Sequence, residues 1–352
     1  MKQLEIIIDL VSDWQKGIYN WYVENYGSKW RFVEARNATL EAAVLRHDFA
    51  SVPKEERGTL VCYYYNLYHR IVPPTKRKLI VLDQEHLFAN IASDKIEDVK
   101  LGWAAFSSDV DSGLNLEARQ TDKRFDIDGK DVLLDRFKIH HFHIRVDPKK
   151  RGDYVAYCFV TNDAVKVIAI ESHRAFSRAE LWQTLVERAY QLYPEEFTSF
   201  MVKENVSTTQ VDLEAQKKLS WLNFNSQFRI GDKQFYPIGM GAMMNGVSFE
   251  AQTWMIRDQR LFSVATKAMK KMAEDNISVI AQAVSDSTVS VAFRLFSRAG
   301  SVVEARSEDE SLRMIYDIIT GKVTLSCIDT LVGRLKIKEV APKSSKAEGP
   351  TA

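Results

Sequence analysis

The segment from Lys138 to Pro194 constrains this chain most. Residues 138–146, KIHHFHIRV, alternate with the period of two that a half-buried strand requires. A turn-rich stretch from Asp147 to Asp153, with Pro148 and Gly152, leads into a second strand, Tyr154 to Val160. Asn162-Asp163 then reverses the chain into a third, Val165 to Glu171. Three consecutive strands with short connections predict an antiparallel meander. Ser177 with Glu180 three places later reads as a capping box, and Leu181, Trp182, Leu185, Val186, Ala189 and Leu192 form the apolar stripe of a helix that Pro194 stops. A helix following a meander buries its stripe on the sheet, which gives an α+β unit.

The flanks are organised differently. Leu4, Ile7, Ile8, Val11, Trp14, Ile18, Trp21 and Tyr22 follow helical spacing and predict an opening helix from Leu4. A second helix is expected over Lys54 to Ile71, where Glu55 and Glu56 suit a first turn and Pro73-Pro74 halt the run. Residues 1–106 therefore read as a mainly helical region, and the polar stretch 107–130 as a loop or joint. Within that stretch Asp109, Asp111 and Gly113 imitate the start of a calcium loop. The glycine falls one place early and Gln120 replaces the bidentate acid, so no calcium site is expected.

Residues 131–200 form the candidate active domain and 201–340 a C-terminal α+β unit. In the latter, 206–221 and 248–274 are expected as helices around an irregular Arg229 to Gly246. A hairpin follows, 277–284 with 288–296 around Asp286-Ser287, then a helix near Asp309 to Ile319 and a strand from Val323 to Cys327. The small, polar tail at 341–352 is expected to be disordered.

Composition removes whole classes of function. Lys+Arg 48 against Asp+Glu 47 leaves a formal +1, so no global field draws the chain to nucleic acid or to a membrane. A basic site has to be local. Cys62, Cys158 and Cys327 form no C-x-x-C pair, which favours a reducing compartment over a disulfide or zinc scaffold. With no readable signal peptide and no apolar run of about 20 residues, the expected location is cytoplasmic, without membrane contact. The run GMGAMMNG, residues 239–246, lacks the spacing of a dinucleotide fingerprint and no phosphate-binding Gly-Lys-Ser/Thr occurs, so no cofactor is expected.

Four of the seven histidines lie between 140 and 173. Strand alternation puts His141, His143 and Arg145 on one face and His140, Phe142 and Ile144 on the other. His173 and Arg174 close the third strand, where a meander brings them near that face. Imidazoles titrate near neutrality and a guanidinium holds an anion, the equipment for general acid–base cleavage of a phosphodiester. His141, His143 and His173 are thus the candidate catalytic residues, and Arg145, Lys149, Lys150, Arg151 and Arg174 the candidate phosphate grip. Tyr154 and Glu171 are expected to support them. Two other readings use the same residues: a metal-dependent hydrolase in which Glu171 or Asp135 completes the ligands, and a non-catalytic module binding protein or nucleic acid.

The run GDYVAYCFVTNDAVKVIAIESHR, residues 152–174, resembles the core hairpin of the RelE/ParE-type toxin superfamily, which belongs with barnase-like and colicin-type ribonucleases. LLDRFKIHHFHIRV, residues 133–146, also resembles a set of bacterial proteins of unassigned function. The toxin resemblance implies a ribonuclease-like surface near Arg151, Tyr154, His173 and Arg174. It implies a toxin-like or anti-phage effector acting on RNA, with a protein partner or inhibitor. This chain is longer and more neutral than that pattern, and His141 and His143 have no fixed counterpart in it.

Overall fold

The computed structural model describes residues 5–26, 49–121, 125, 131–147, 152–173, 179–202, 215, 218–219, 222, 225–243, 247–278, 280, 290–299, 302–307 and 312–327. The fold is α+β, with a helical N-terminal part and a strand-rich C-terminal one. In chain order the elements are β1 (Glu5–Ile8), α1 (Leu10–Tyr26), α2 (Lys54–Arg70), β2 (Lys78–Ile80), α3 (Ile96–Ser112), α4 (Val132–Phe137), β3 (Ile139–His143), β4 (Tyr154–Val160), β5 (Ala164–Ser172) and α5 (Ala179–Leu192). They continue with β6 (Phe228–Ile230), β7 (Lys233–Phe235), α6 (Phe249–Asp275), β8 (Ser290–Ala299), β9 (Val302–Ser307), β10 (Leu312–Asp317) and β11 (Val323–Cys327). Among the described residues no helix is long and apolar enough to cross a membrane.

Two compact units result, one of them drawn from both ends of the chain. One comprises residues 26–254; the other joins 1–25 to 255–352. The reason lies at the N-terminus. Residues 5–8 are a strand rather than the start of a helix, pairing in parallel with β8 from Glu5↔Ser290 to Ile8↔Phe293. Three successive isoleucines suit an extended backbone, and the helix starts only at Leu10, where Asp9 Oδ1 accepts from the Ser12 amide.

The first unit is built on a four-stranded sheet of order β2-β5-β4-β3. The meander is as expected, and β2 adds a parallel strand beside β5 that the helical reading of residues 1–106 did not contain. Alternation along the strands fills two cores. Ile139, Val155, Tyr157 and Phe159 face a cluster completed by Trp182 and Leu185 of α5. Phe142, Ala156, Cys158 and Val165 face a second, closed by Val99, Phe106 and Val110 of α3. In β5 the register shifts so that Tyr157 faces Ala169 while Cys158 faces Val167, leaving Ile168 as a bulge. Cys62 and Cys158 are buried free thiols; burial pushes the Cys62 thiol up to about 12, which keeps it inert.

Several other expectations change. Ser107 to Ser112 continue α3 rather than forming a loop; Gly113, at φ 71°, ends the helix in a left-handed cap. The stretch 229–246 contains a hairpin, β6 with β7. Gly239 lies in a turn that the Met240 amide closes on Pro237 O at 2.9 Å, and Gly241 follows it at φ 80°. A Cβ on Gly239 would stand 2.3 Å from Asp135 O, so only glycine permits this docking on α4.

The second unit holds a five-stranded sheet of order β1-β8-β9-β10-β11. Ile277, Ser278 and Ile280 are helical, not the first strand of a hairpin, and Leu312–Asp317 is strand β10 where a helix was expected. Leu312, Met314 and Tyr316 are buried while Arg313, Ile315 and Asp317 are not, a period of two that overrides the local helical spacing. The expected turn at Asp286-Ser287, the capping residue Ser177, most of the 206–221 helix and the tail lie outside the described residues.

Another close backbone approach in the first unit is testable. A Cβ on Gly102 of α3 would stand 2.7 Å from Arg145 N and 2.8 Å from Arg145 Cα. Gly102→Ala should therefore destabilise the fold by about 1–3 kcal/mol despite alanine's higher helix propensity, measured by urea unfolding; a stabilised variant would contradict this packing.

Candidate functional site

The imidazoles from the first and third strands of the meander do come together. β3 pairs antiparallel with β4, His141 opposite Tyr157 and His143 opposite Val155, so both rings take the same face of the sheet. The Ile168 bulge fixes the register of the far end of β5. The His173 amide donates to Asp153 O at 2.6 Å, which places His173 on the face of Val155 and His143. The His143 and His173 rings stack, with centroids 5.1 Å apart and an interplanar angle of 25°. His141 lies 6.4 Å from His173 and 6.5 Å from the Tyr157 ring. His173 is exposed and His141 half-buried, whereas His143 is only 6% exposed.

His143 is held most firmly. Its Nδ1 donates to Gly152 O at 3.1 Å, which leaves Nε2 to carry the lone pair. Burial lowers its pKa to about 4; the bond to Gly152 partly opposes this, and the charges of His173, Arg145 and His141 add to the lowering. The ring is neutral at pH 7.

Arg145 follows the end of β3. Its Nη2 donates to Ala118 O at 2.8 Å, and its backbone carbonyl is held by Arg119. Arg119 is 1% exposed. Its Nε and Nη2 meet Asp109 Oδ2 at 2.7 and 2.6 Å, while Nη1 donates to Arg145 O at 2.8 Å and stands 3.5 Å from His143 O. β3 is an edge strand, so Arg119 takes the place of a neighbouring strand on its outer side. Arg119 was not singled out from the sequence, and Asp109 drew attention only as part of a failed calcium loop, because both fell in the stretch read as a loop.

Of the two supporting residues, Glu171 lies opposite Val155 and so keeps to the face of His143, whereas Tyr154 does not. Tyr154 alternates to the opposite side of the sheet, packs against the second core and accepts from the Ala92 amide at 3.1 Å. It does not join the imidazoles. Glu171 accepts from Asn90 Nδ2 at 2.5 Å. Lys149, Lys150, Arg151 and Arg174 lie outside the described residues. His140, assigned to the other face, is half-buried and stacks on Phe142; burial lowers its pKa to about 3.

Asp135, one proposed metal ligand, sits instead beside a histidine from the helical part. Its Oδ1 is 3.7 Å from His69 Nε2, and both side chains are buried. Burial lifts the Asp135 carboxyl to about 7 and lowers His69 to about 3. Among the described residues no group of three or more His, Cys, Asp or Glu side chains is placed to hold a metal ion. Comparison with family models, curated proteins and solved structures gives no significant match, so a functional reading rests on the residues themselves.

The depressed pKa of His143 has a direction in pH. Its folded value lies below the ordinary 6.5, so it contributes stability that is present above that pH and is lost as pH falls toward about 4. The loss is on the order of 3 kcal/mol. The His143 ring should titrate near pH 4 by NMR, and His143→Gln should flatten the stability profile between pH 6.5 and 4 in urea titrations.

Proposed function

We propose that this protein cleaves RNA by metal-independent acid–base chemistry at the His141–His143–His173 cluster. The observation that carries the reading is the 5.1 Å stack of His143 on His173, with His141 6.4 Å from the latter, at the end of two strands. His143, neutral and with Nε2 unprotonated, is the base that takes the proton from a ribose 2′-hydroxyl. The 2′-oxygen attacks phosphorus as the bond to the 5′-oxygen breaks, and a protonated His141 or His173 supplies the leaving oxygen with its proton. The products are a 2′,3′-cyclic phosphate and a free 5′-hydroxyl. Arg145, close enough to influence His143, offsets the charge that builds on the phosphate.

In this reading the chain is a toxin-like effector of the bacterial cytoplasm, held in check by a protein inhibitor and acting in defence against phage. A labelled RNA incubated with the protein in EDTA should be cut to cyclic-phosphate ends. His143→Gln and His173→Ala should each slow cutting by about 10²–10⁴-fold. Full activity in both variants, or a requirement for a divalent ion, rejects the assignment.

The burial of His143 and its bond to Gly152 favour a second reading, a non-catalytic binding module in which the histidines are structural. It predicts that His141→Ala and His143→Gln lower the melting temperature while no RNA is cut by any form.

A further inference from the structure

The second unit carries a feature that the histidine site does not use. In its five-stranded sheet Arg294 of β8 lies directly opposite Arg306 of β9, and Arg306 directly opposite Arg313 of β10. Directly opposed residues share a face, so the three guanidinium groups form one row across three strands. On the other face the alternating Phe293, Ala305 and Met314 are fully buried. With strands about 4.8 Å apart, the row spans roughly 10 Å. Its side chains reach solvent: Arg294 is 52% exposed, Arg306 26% and Arg313 28%.

Like charges directly opposite each other on a sheet are destabilising, and the row is held by an anion within the chain. Glu304, itself buried, accepts from Arg306 Nε at 2.8 Å through Oε1 and from Arg313 Nη2 at 2.8 Å through Oε2. Arg294 Nη1 lies 3.7 Å from Asp13 Oδ1, whose second oxygen accepts from the Leu295 amide. The row is thus already shaped around an oxyanion. Guanidinium forks suit carboxylate and phosphate alike.

We propose that this face grips the backbone of single-stranded RNA, with Arg294, Arg306 and Arg313 contacting consecutive phosphates and Glu304 as their resting counter-ion. The occupant follows from the spacing. Guanidinium groups repeated at about 4.8 Å across three strands meet a chain of repeated phosphates, whose charges dominate the affinity of proteins for nucleic acid. A row of fixed spacing matches a linear polyanion, whereas an anionic lipid surface is met by a cluster without register. Such contacts position the chain on RNA without reading its sequence. The proposal does not require that the histidine site cleave.

The test uses the full chain and a fluorescein-labelled 12-nucleotide 2′-O-methyl RNA, which cannot be cut through its 2′-oxygen, with binding followed by anisotropy from 50 to 200 mM salt. Wild type should bind with a negative salt slope. Arg294→Gln should bind several-fold more weakly, with the slope reduced by about 0.7, the value of one phosphate contact on a single strand. Glu304→Gln removes the carboxylate that Arg306 and Arg313 share and should tighten binding several-fold. Thermal melts show which variants are folded, and if Glu304→Gln is not, Arg294→Gln decides alone. Absence of RNA binding by wild type overturns the proposal, as does an Arg294→Gln protein with unchanged affinity and slope. Capture by phosphatidylserine vesicles but not by the RNA also overturns it.

Discussion

The outer side of β3 is where this structure has a polar problem to solve. The strand is an edge of its sheet, yet its exit lies against α3 at Gly102, too close for any side chain. Backbone carbonyls there cannot be left without donors in a packed interior. Arg119 supplies them, and its own charge is neutralised by Asp109 of the helix it lies beside. This tie fixes helix, strand exit and the Arg145 backbone in one arrangement. The orientation of His143 depends on it from one side and on Gly152 O from the other.

Burial then sorts the histidines. His69, His140 and His143 are taken out of water, and desolvation keeps each neutral well below the pH at which a free imidazole gains its proton. His173 stays exposed at the strand end. A neutral ring of fixed tautomer beside an exposed one is an asymmetric pair, and asymmetry is what acid–base roles need. Tyr157 reinforces the apolar side of the site; burial raises its hydroxyl well above the usual phenol range, and that hydroxyl has no hydrogen-bond partner among the described residues.

Much of the first unit was legible because its signals are local. β4 spans the expected residues, β5 extends the expected strand by one at each end, and α5 ends before Pro194 as its stripe indicated. The shared face of His141 and His143 followed from strand alternation, whereas the approach of His173 needed the register shift at Ile168. What failed had competing local and distant determinants. Residues 5–8 read as helix by spacing but pair with a strand nearly the whole chain away. Residues 312–317 read as helix but are drawn into register by β9 and β11. Tyr154 was misplaced because proximity in sequence to the histidines says nothing about which side of the sheet a residue takes.

The sequence by itself determined the α+β class, the strand period of the meander and the face shared by His141 and His143, because each depends on backbone geometry repeated every two or 3.6 residues. Only tertiary structure decided that Ile168 bulges and so turns His173 toward them, that Arg119 closes the strand edge, that Asp135 meets His69, and that three arginines line up across β8, β9 and β10. Register, edge closure and burial are properties of pairs far apart along the chain. No window of neighbouring residues contains them.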